Sequence, residues 1–332
     1  MRTFAGGMID SRRVKELAFE AGFDLCGITT AQVIPEARER FYEWLRRGYH
    51  ATLQYLARDP ERRSDPTRLL EGAKSIIMLG LNYFQVDSNE VPAGFGRVSK
   101  YARGRDYHKI IAKRQHQLVE LLQQNAGEPA PNLRSYVDHG PILERAYAEK
   151  AGLGFIGRNG LLITRQFGSW VFLSAVLTDL EFEADDQYAI NHGRCGSCHR
   201  CIDACPTGAI VQDKVVDAGK CISYLTIERP PSIRDELAAK MGDMIFGCDI
   251  CQSVCPHNGR AVLTRHEELK AEAGVGEFVD SRRILSMQSR EEFLKLTAGT
   301  PLTRPKLDGL QRNAQIVLAN QRRVGQAGQQ TT

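Results

Sequence analysis

The chain has 332 residues, 42% of them hydrophobic and 25% charged, an ordinary globular composition with length for two or three cores. Its longest near-apolar runs, Ser75 to Phe84 and Trp170 to Leu177, fall well short of the ~20 residues that cross a bilayer, which excludes a helical membrane span. Net charge is only +4.

That charge is uneven. Residues 281–332 carry nine Lys/Arg against three Asp/Glu, a balance of +6. Residues 1–68 carry twelve against ten, or +2, leaving −4 for the middle. A basic C-terminal end is compatible with nucleic acid and also with solvated helix faces. The opening Met-Arg-Thr-Phe-Ala-Gly-Gly lacks the apolar core of a secretory signal, so a cytoplasmic protein without a membrane association is expected.

The first ~185 residues alternate helical and strand patterns, the sign of an α/β layer. Ser11 to Ala21 is amphipathic and stops at Gly22; Phe23 to Ile28 is a short apolar run; Pro35 to Arg47 is helical and stops at Gly48. Lys74 to Tyr83 reads as a buried strand, Asp106 to Asn125 as a long helix, and Leu133 to Val137 as another strand. Pro141 is expected to open a helix that Gly152 ends. Strands Gly160 to Thr164 and Trp170 to Leu177 follow, joined by a turn at Gly168. After Asn258 the pattern is helical again, clearest over Ser289 to Thr297 and Leu307 to Gln321, and the Gln/Gly/Thr-rich tail Gly325 to Thr332 reads as disordered.

Eight of the nine cysteines lie between Cys195 and Cys255, which in a reducing compartment reads as metal ligation. Cys195, Cys198, Cys201 and Cys205, followed by Pro206, have the bacterial ferredoxin spacing of a [4Fe-4S] cluster whose fourth cysteine serves a second cluster. The repeat follows: Cys248, Cys251 and Cys255 before Pro256, with Ile245 where a first cysteine would stand and Cys221 free to replace it. Pairing across the pseudo-symmetry gives one cluster on Cys195, Cys198, Cys201 and Cys255 and another on Cys205, Cys221, Cys248 and Cys251. Paired zinc ribbons are the alternative; the third cysteine at the same step and the prolines argue against them. Cys26, in an apolar strand, reads as a small buried hydrophobe.

Two such clusters move single electrons, so the N-terminal layer should hold their acceptor. Gly152, Gly154 and Gly157 spell G-x-G-x-x-G, but they follow a helix and lead into a strand, the reverse of a dinucleotide site. No Walker loop, H-E-x-x-H or G-x-S-x-G is present. Asp138, in Tyr136-Val-Asp-His-Gly-Pro-Ile-Leu-Glu-Arg145, stands at a strand's end. From the residues alone it is either a proton-transfer group or, more commonly for such an aspartate, a support for the following helix N-terminus; His139 stands on the same footing.

These segments resemble the epoxyqueuosine reductases, cobalamin-dependent iron–sulfur enzymes of tRNA modification. The resemblance runs through Arg63-Ser-Asp-Pro66, Lys100-Tyr-Ala-Arg-Gly-Arg-Asp-Tyr-His108, Tyr136 to Arg145, Gly154-Phe-Ile-Gly-Arg-Asn159, Gly168-Ser-Trp-Val-Phe-Leu173, both cysteine runs, Cys221 to Glu228, Phe246-Gly-Cys-Asp-Ile-Cys-Gln252 and Arg312-Asn-Ala314. It implies an N-terminal nitroreductase-like cobalamin domain over 1–185, a ferredoxin-like domain with two [4Fe-4S] clusters over 186–260, and a helical C-terminal region over 261–332. The implied reaction reduces the epoxide of epoxyqueuosine, at the wobble position of tRNAs with G-U-N anticodons, to the alkene of queuosine, with an external low-potential electron donor and a monomeric enzyme.

By resemblance, Asp138 is the proton donor, and Arg63, Tyr101, Asp138, Asn159, Leu162, Thr164 and Asp249 are cobalamin contacts. Arg158 stands where the family commonly has lysine and Gly160 where it has a larger residue. No D-x-H-x-x-G signature is present, so cobalamin without a protein histidine ligand is expected. RNA loops are read by stacking and basic contacts, which makes Tyr224, Arg282, Arg283, Arg304, Lys306 and Arg312 the candidates. The chain ends soon after Ala314, where longer members continue into HEAT-like repeats, so a smaller tRNA grip is expected. Two other classes fit part of the pattern: a dehalogenase-like cobalamin reductase, against which the basic C-terminal end and the lack of an export signal argue, and a ferredoxin-type electron carrier, which would not bind cobalamin.

Overall fold

The computed structural model describes residues 9–88, 90–185, 193–228 and 232–329; the N-terminal heptapeptide and the expected boundary at residue 186 lie outside them. The strands in chain order are β1 (Leu25–Thr30), β2 (Ser75–Asn82), β3 (Phe95–Val98), β4 (Leu133–Val137), β5 (Phe155–Ile156), β6 (Leu162–Ile163), β7 (Val171–Thr178), β8 (Ile210–Gln212), β9 (Val215–Val216), β10 (Met244–Phe246) and β11 (Phe278–Asp280). Among the described residues no helix is long and apolar enough to cross a membrane.

The main sheet runs β1-β2-β7-β4. Its central strand β2, Ser-Ile-Ile-Met-Leu-Gly-Leu-Asn, is buried at every residue, and the two-residue period of a strand sorts it between two cores. Ile77, Leu79 and Leu81 join Val14, Leu17, Ile111, Leu118 and Leu122 of helices Ser11–Glu20 and Tyr107–Asn125. Ile76 and Met78 pack instead with Tyr147 and Ala148 of helix Glu144–Lys150. Every pairing in this sheet is antiparallel, so the layer is of the α+β kind. The site therefore does not lie along a crest of parallel strand ends: Asp138 follows β4, an edge strand.

A second sheet, β10-β3-β11, was not legible in the sequence. β3 pairs in parallel with β10 and antiparallel with β11, more than 140 residues downstream. Three or four residues in each strand carry too short a pattern to read alone. Around them Val98, Ile245, Phe246, Val279, Ile284, Leu310, Ala314 and Val317 form a third core under the helix Lys306–Gln329. That helix continues through Gly325–Gln329, against the expected disordered tail; 330–332 lie outside the described residues. Helix Glu144–Lys150 begins three residues later than Pro141 suggested, because the Gly140 carbonyl accepts from Arg63 Nη1 at 3.0 Å and from Ile142 N at 2.9 Å, holding residues 138–143 as a turn.

The strap at residues 262–266 returns to the first sheet. Asp24, buried with His266, accepts from Asn82 N at 2.8 Å and Arg265 Nε at 2.9 Å and lies 2.7 Å from His266 Nε2. Burial would raise its carboxyl, but the His266 and Asn82 bonds outweigh that and lower it. Its stabilisation is therefore present above the ordinary carboxylate range and is lost as pH falls through the lowered value. Asp24→Ala leaves buried donors unpaired and is expected to destabilise the protein by about 2–4 kcal/mol, read from urea unfolding at pH 7, with the difference shrinking at acid pH.

Candidate functional site

Asp138 occupies a turn that an ordinary L residue resists. Its φ is +53°, and the His139 N–H donates across it to the Val137 carbonyl at 2.5 Å, a rare and strained three-residue turn. Neighbours fix the side chain. Tyr107 Oη donates to Asp138 Oδ2 at 2.5 Å, His108 Nε2 stands 3.4 Å from the same oxygen, and Glu144 Oε1 accepts the Asp138 N–H at 2.9 Å. The side chain is 59% exposed, and Tyr55, Arg63 and Arg304 lie within electrostatic range of it, with Glu228 near Tyr55 and Arg304. Partial desolvation by its neighbours would raise the carboxyl, but the Tyr107 bond and the nearby His108 ring hold it below the usual range. Glu144 beside it is pushed up to about 8 by burial and by the Asp138 charge.

Tyr107 and His108 stand there because Asp106 caps helix Tyr107–Asn125, its carboxylate accepting from His108 N at 3.1 Å. Asp106 Oδ1 also lies 2.8 Å from His108 Nδ1. Burial lowers the imidazole, but the two carboxylates prevail and raise it to about 9. The sequence alone assigns a role to neither residue. The available signal was an N-cap aspartate with a histidine two residues on, the spacing that returns a ring to its own cap.

All nine cysteines are free thiols. Cys195, Cys198, Cys201 and Cys255 line one cavity together with Arg158, Asn159 and His257, an arrangement suited to a cubane with a thiolate at each corner. Cys221 and Cys248 are electrostatic neighbours of each other and of both Cys205 and Cys251, and Cys251 also lies within range of Cys201, so the two quartets adjoin. Backbone N–H groups already point at sulfur: Arg158 N to Cys195 Sγ at 3.4 Å and Ala209 N to Cys205 Sγ at 3.3 Å. Burial raises the Cys251 thiol and pushes Cys248 up to about 12, so these groups ionise only when a cation compensates. Cys26 is likewise pushed up to about 12 by burial, as a small hydrophobe within a strand should be.

The second cysteine run is bracketed to the rest of the protein. Asp249 accepts from Ser99 Oγ and from Lys100 N at 2.8 Å. Gln252 Oε1 accepts from Ser169 Oγ at 3.0 Å. Asn258 Oδ1 accepts from Ser169 N at 2.7 Å, while its Nδ2 donates to Ser169 Oγ at 2.9 Å and Gln252 O at 2.7 Å. Gly168 is required beneath this contact: its φ is +57° and an added Cβ would sit 1.9 Å from Asn258 Oδ1.

Comparison with known proteins follows the same segments. Residues 194–258 match the 4Fe-4S double cluster binding domain, and residues 63–139 match the family described as epoxyqueuosine reductase QueG, DUF1730. An epoxyqueuosine reductase from Leadbetterella byssophila is 41% identical over 307 residues, covering 92% of this chain and 98% of its own. The chain belongs to the epoxyqueuosine reductase family. A crystal structure of an epoxyqueuosine reductase with an epoxyqueuosine-modified tRNA-Tyr stem loop superposes with a TM-score of 0.84 at 31% identity, covering 93% of this chain and 80% of that one. A second, from Bacillus subtilis, described with its aspartate catalytic loop swung out of the active site, matches with a TM-score of 0.82 at 30% identity over 93% and 81% of the two chains.

Against the residues expected of an epoxyqueuosine reductase, the structure gathers Arg63, Tyr101 and Arg304 around Asp138. Tyr101 senses both Asp138 and Asp249. Asn159 is buried, with an amide nitrogen that has no partner among the described residues. Leu162 and Thr164 are buried, the Thr164 hydroxyl donating to Gly168 O at 3.0 Å, and the Asp249 carboxylate is committed to Ser99 and Lys100; none of the three offers a free side chain to a cofactor.

Tyr224 is corrected as a stacking residue, because its ring is buried and its hydroxyl lies 2.6 Å from that of Thr52. The aromatic exposed at the cleft is Tyr55, at 47%. Arg304 pairs with Glu228 at 2.7 Å. Arg312 Nη2 donates to Leu225 O at 2.6 Å, which makes it part of the scaffold. Arg282, Arg283 and Lys306 are exposed.

Asn258→Ala removes three buried hydrogen bonds and orphans the Ser169 N–H. The expected cost is about 1–3 kcal/mol, read by chemical unfolding, with faster loss of iron from the reconstituted protein than in wild type.

Proposed function

We propose that this protein reduces epoxyqueuosine to queuosine in tRNAs with G-U-N anticodons, converting the epoxide to an alkene. The balance is one epoxide, two electrons and two protons giving one alkene and one water. The observation that carries the reading is the position of Tyr101, whose ring lies 6.1 Å from that of Tyr107, the donor to Asp138, and 6.1 Å from that of Phe246, two residues before Cys248. Proton-handling and electron-handling groups thus meet at one cleft.

We assign one [4Fe-4S] cluster to Cys195, Cys198, Cys201 and Cys255 and the other to Cys205, Cys221, Cys248 and Cys251. Arg63, Tyr101 and Asn159 are assigned to cobalamin, with Leu162, Thr164 and Asp249 supporting from behind. The donor set suits a large cofactor fringed with amides and bearing a phosphate, and the unpartnered Asn159 amide is the kind of group such a fringe satisfies. When bound, the clusters supply single electrons and cobalamin the reducing cobalt centre, chemistry that belongs to the cofactor. The chain's own residues do the rest. Asp138 delivers a proton to the departing oxygen, while Tyr107 fixes the carboxyl and Arg63 fixes its turn through the Gly140 carbonyl.

The nitroreductase-like cobalamin unit is placed at 1–185, the ferredoxin-type unit at 186–260 and the helical region at 261–332, acting as a cytoplasmic monomer fed by an external low-potential donor. Tyr55, with Arg304 beside it, takes the stacking place first given to Tyr224. Lys306, Arg282 and Arg283 add diffuse attraction for the RNA backbone.

The test is anaerobic: reconstitute the clusters, add cobalamin and a low-potential reductant, and follow an epoxyqueuosine-containing anticodon stem loop by mass spectrometry. Loss of one oxygen that requires cobalamin is the expected result, and no mass change with both cofactors bound overturns the reading. Asp138→Asn should lower the rate at least about 100-fold while iron content and cobalamin affinity stay at wild-type values. Cys205→Ser should remove about half the iron; Cys26→Ser should remove none.

A further inference from the structure

The proposed reaction consumes two protons at one place, and the carboxyl best placed to deliver them is held in its ionised form. Asp138 Oδ2 accepts from Tyr107 Oη at 2.5 Å and stands 3.4 Å from His108 Nε2, while Oδ1 has no protein partner among the described residues and the side chain is 59% exposed. An ionised carboxylate donates nothing until it is reloaded. The group in line to reload it is His108. Its Nδ1 is anchored 2.8 Å from Asp106 Oδ1, which fixes the ring so that Nε2 is turned to Asp138.

We propose that Asp106, His108 and Asp138 form a proton store, in which the His108 imidazolium hands its Nε2 proton to Asp138 and Asp138 passes it to the departing epoxide oxygen. Each round moves one proton, drawn through by the strongly basic departing oxygen: the N–H bond of His108 breaks as an O–H bond forms on Asp138 Oδ2, and the carboxyl turns that O–H to the substrate oxygen, which takes the proton. Neutral His108, one-third exposed, takes the next proton from water. Two rounds match the two electrons and complete the water that leaves. His108 acts through Asp138 and is a positioning residue; Asp138 is the group that meets the substrate. The inference rests on the reductase reading.

The charges nearest the imidazole favour a loaded histidine. His108 faces the carboxylates of Asp106 and Asp138, with the Tyr107 ring stacked at 4.0 Å and the His139 ring at 5.6 Å. Asp138 faces Tyr107, His108 and His139, with the Glu144 carboxyl on its backbone and Tyr55, Arg63, Tyr101, Arg145 and Arg304 further out. Both nearest carboxylates favour the imidazolium, which is raised to about 9.

Two measurements test this on the full-length holoenzyme. The first is the pH profile of a single turnover with prereduced enzyme. Wild type should hold its rate through neutral pH and decline only above about pH 9, whereas His108→Gln should lose roughly tenfold per pH unit through neutrality and approach wild type in acid. The second is NMR titration of labelled histidine, in which the His108 signal should titrate near 9 and move toward the ordinary value of about 6.5 in Asp106→Asn.

Parallel pH profiles for wild type and His108→Gln, offset by a constant factor, would mean a purely structural histidine and overturn the proposal; so would an imidazole titrating at its ordinary value. If His108→Gln does not fold, Asp106→Asn keeps the ring and should shift the rate profile downward with the titration. Wild-type enzyme with both cofactors but no turnover would overturn the reductase reading, and the titration would still report whether His108 holds the proton.

Discussion

The hydrogen bonds on which the arrangement depends are those that fasten the second cysteine run to the sheet layer. Cys-Asp-Ile-Cys-Gln-Ser-Val-Cys-Pro-His-Asn supplies thiols three and then four residues apart, but thiols alone would fix only their own cavity. The polar residues between them reach outward: Asp249 to Ser99 and Lys100, Gln252 and Asn258 to Ser169. These partners lie just past β3 and just before β7, so one short segment grips both sheets. Each bond is buried, where an unmade partner costs about 1–3 kcal/mol. The register between cysteines and sheets is thereby set by complementary donors and acceptors, a more directional constraint than apolar packing provides.

That fastening demands close backbone approach in a second place. Gly247 has a φ of +72°, and a Cβ there would stand 2.5 Å from Ser99 Cβ, the residue that donates to Asp249. The glycine beside the cysteine run and the serine beyond β3 are thus two halves of one contact, as Gly168 and Asn258 are on the other side. Tyr101, two residues after Ser99, is carried to the cleft by the same contact. Its ring lies 6.1 Å from both Tyr107 and Phe246, so the aromatic next to Asp138 and the aromatic before the cysteine run pack against one residue.

The parts of this architecture that the sequence makes legible are those whose signal is local. The cysteine quartets follow from spacing, and β2 and β7 from uninterrupted apolar runs long enough to read. Helix Tyr107–Asn125 is legible because an aspartate caps it. The second sheet fails the same test, since β3, β10 and β11 owe their existence to one another across the chain and none has a periodic pattern to show. Tyr224 misleads because an aromatic residue looks alike whether its ring is open or buried; Thr52, which receives its hydroxyl, is 172 residues away. His108 is overlooked for a related reason, as its meaning comes from Asp138 across the fold.

The turn at Asp138 shows how a strained residue is kept in place. A left-handed conformation at a residue other than glycine costs on the order of 1–3 kcal/mol, and an isolated loop would relax. Here Tyr107 Oη holds the side chain, Glu144 holds the Asp138 N–H, Arg63 holds the Gly140 carbonyl and His139 closes the turn on Val137. Four hydrogen bonds at roughly 0.5–1.5 kcal/mol each, about 2–6 kcal/mol together, are enough to offset the strain. The margin depends on ionisation, because Tyr107 donates to a carboxylate and Glu144 accepts from its backbone. Protonating Asp138 weakens its hold on Tyr107 and His108 together. In the proposed reaction, loading Asp138 with a proton is therefore the step that loosens the turn, and delivering that proton to substrate restores the carboxylate and tightens it again, so that proton delivery and the hold on the turn are coupled through the carboxylate.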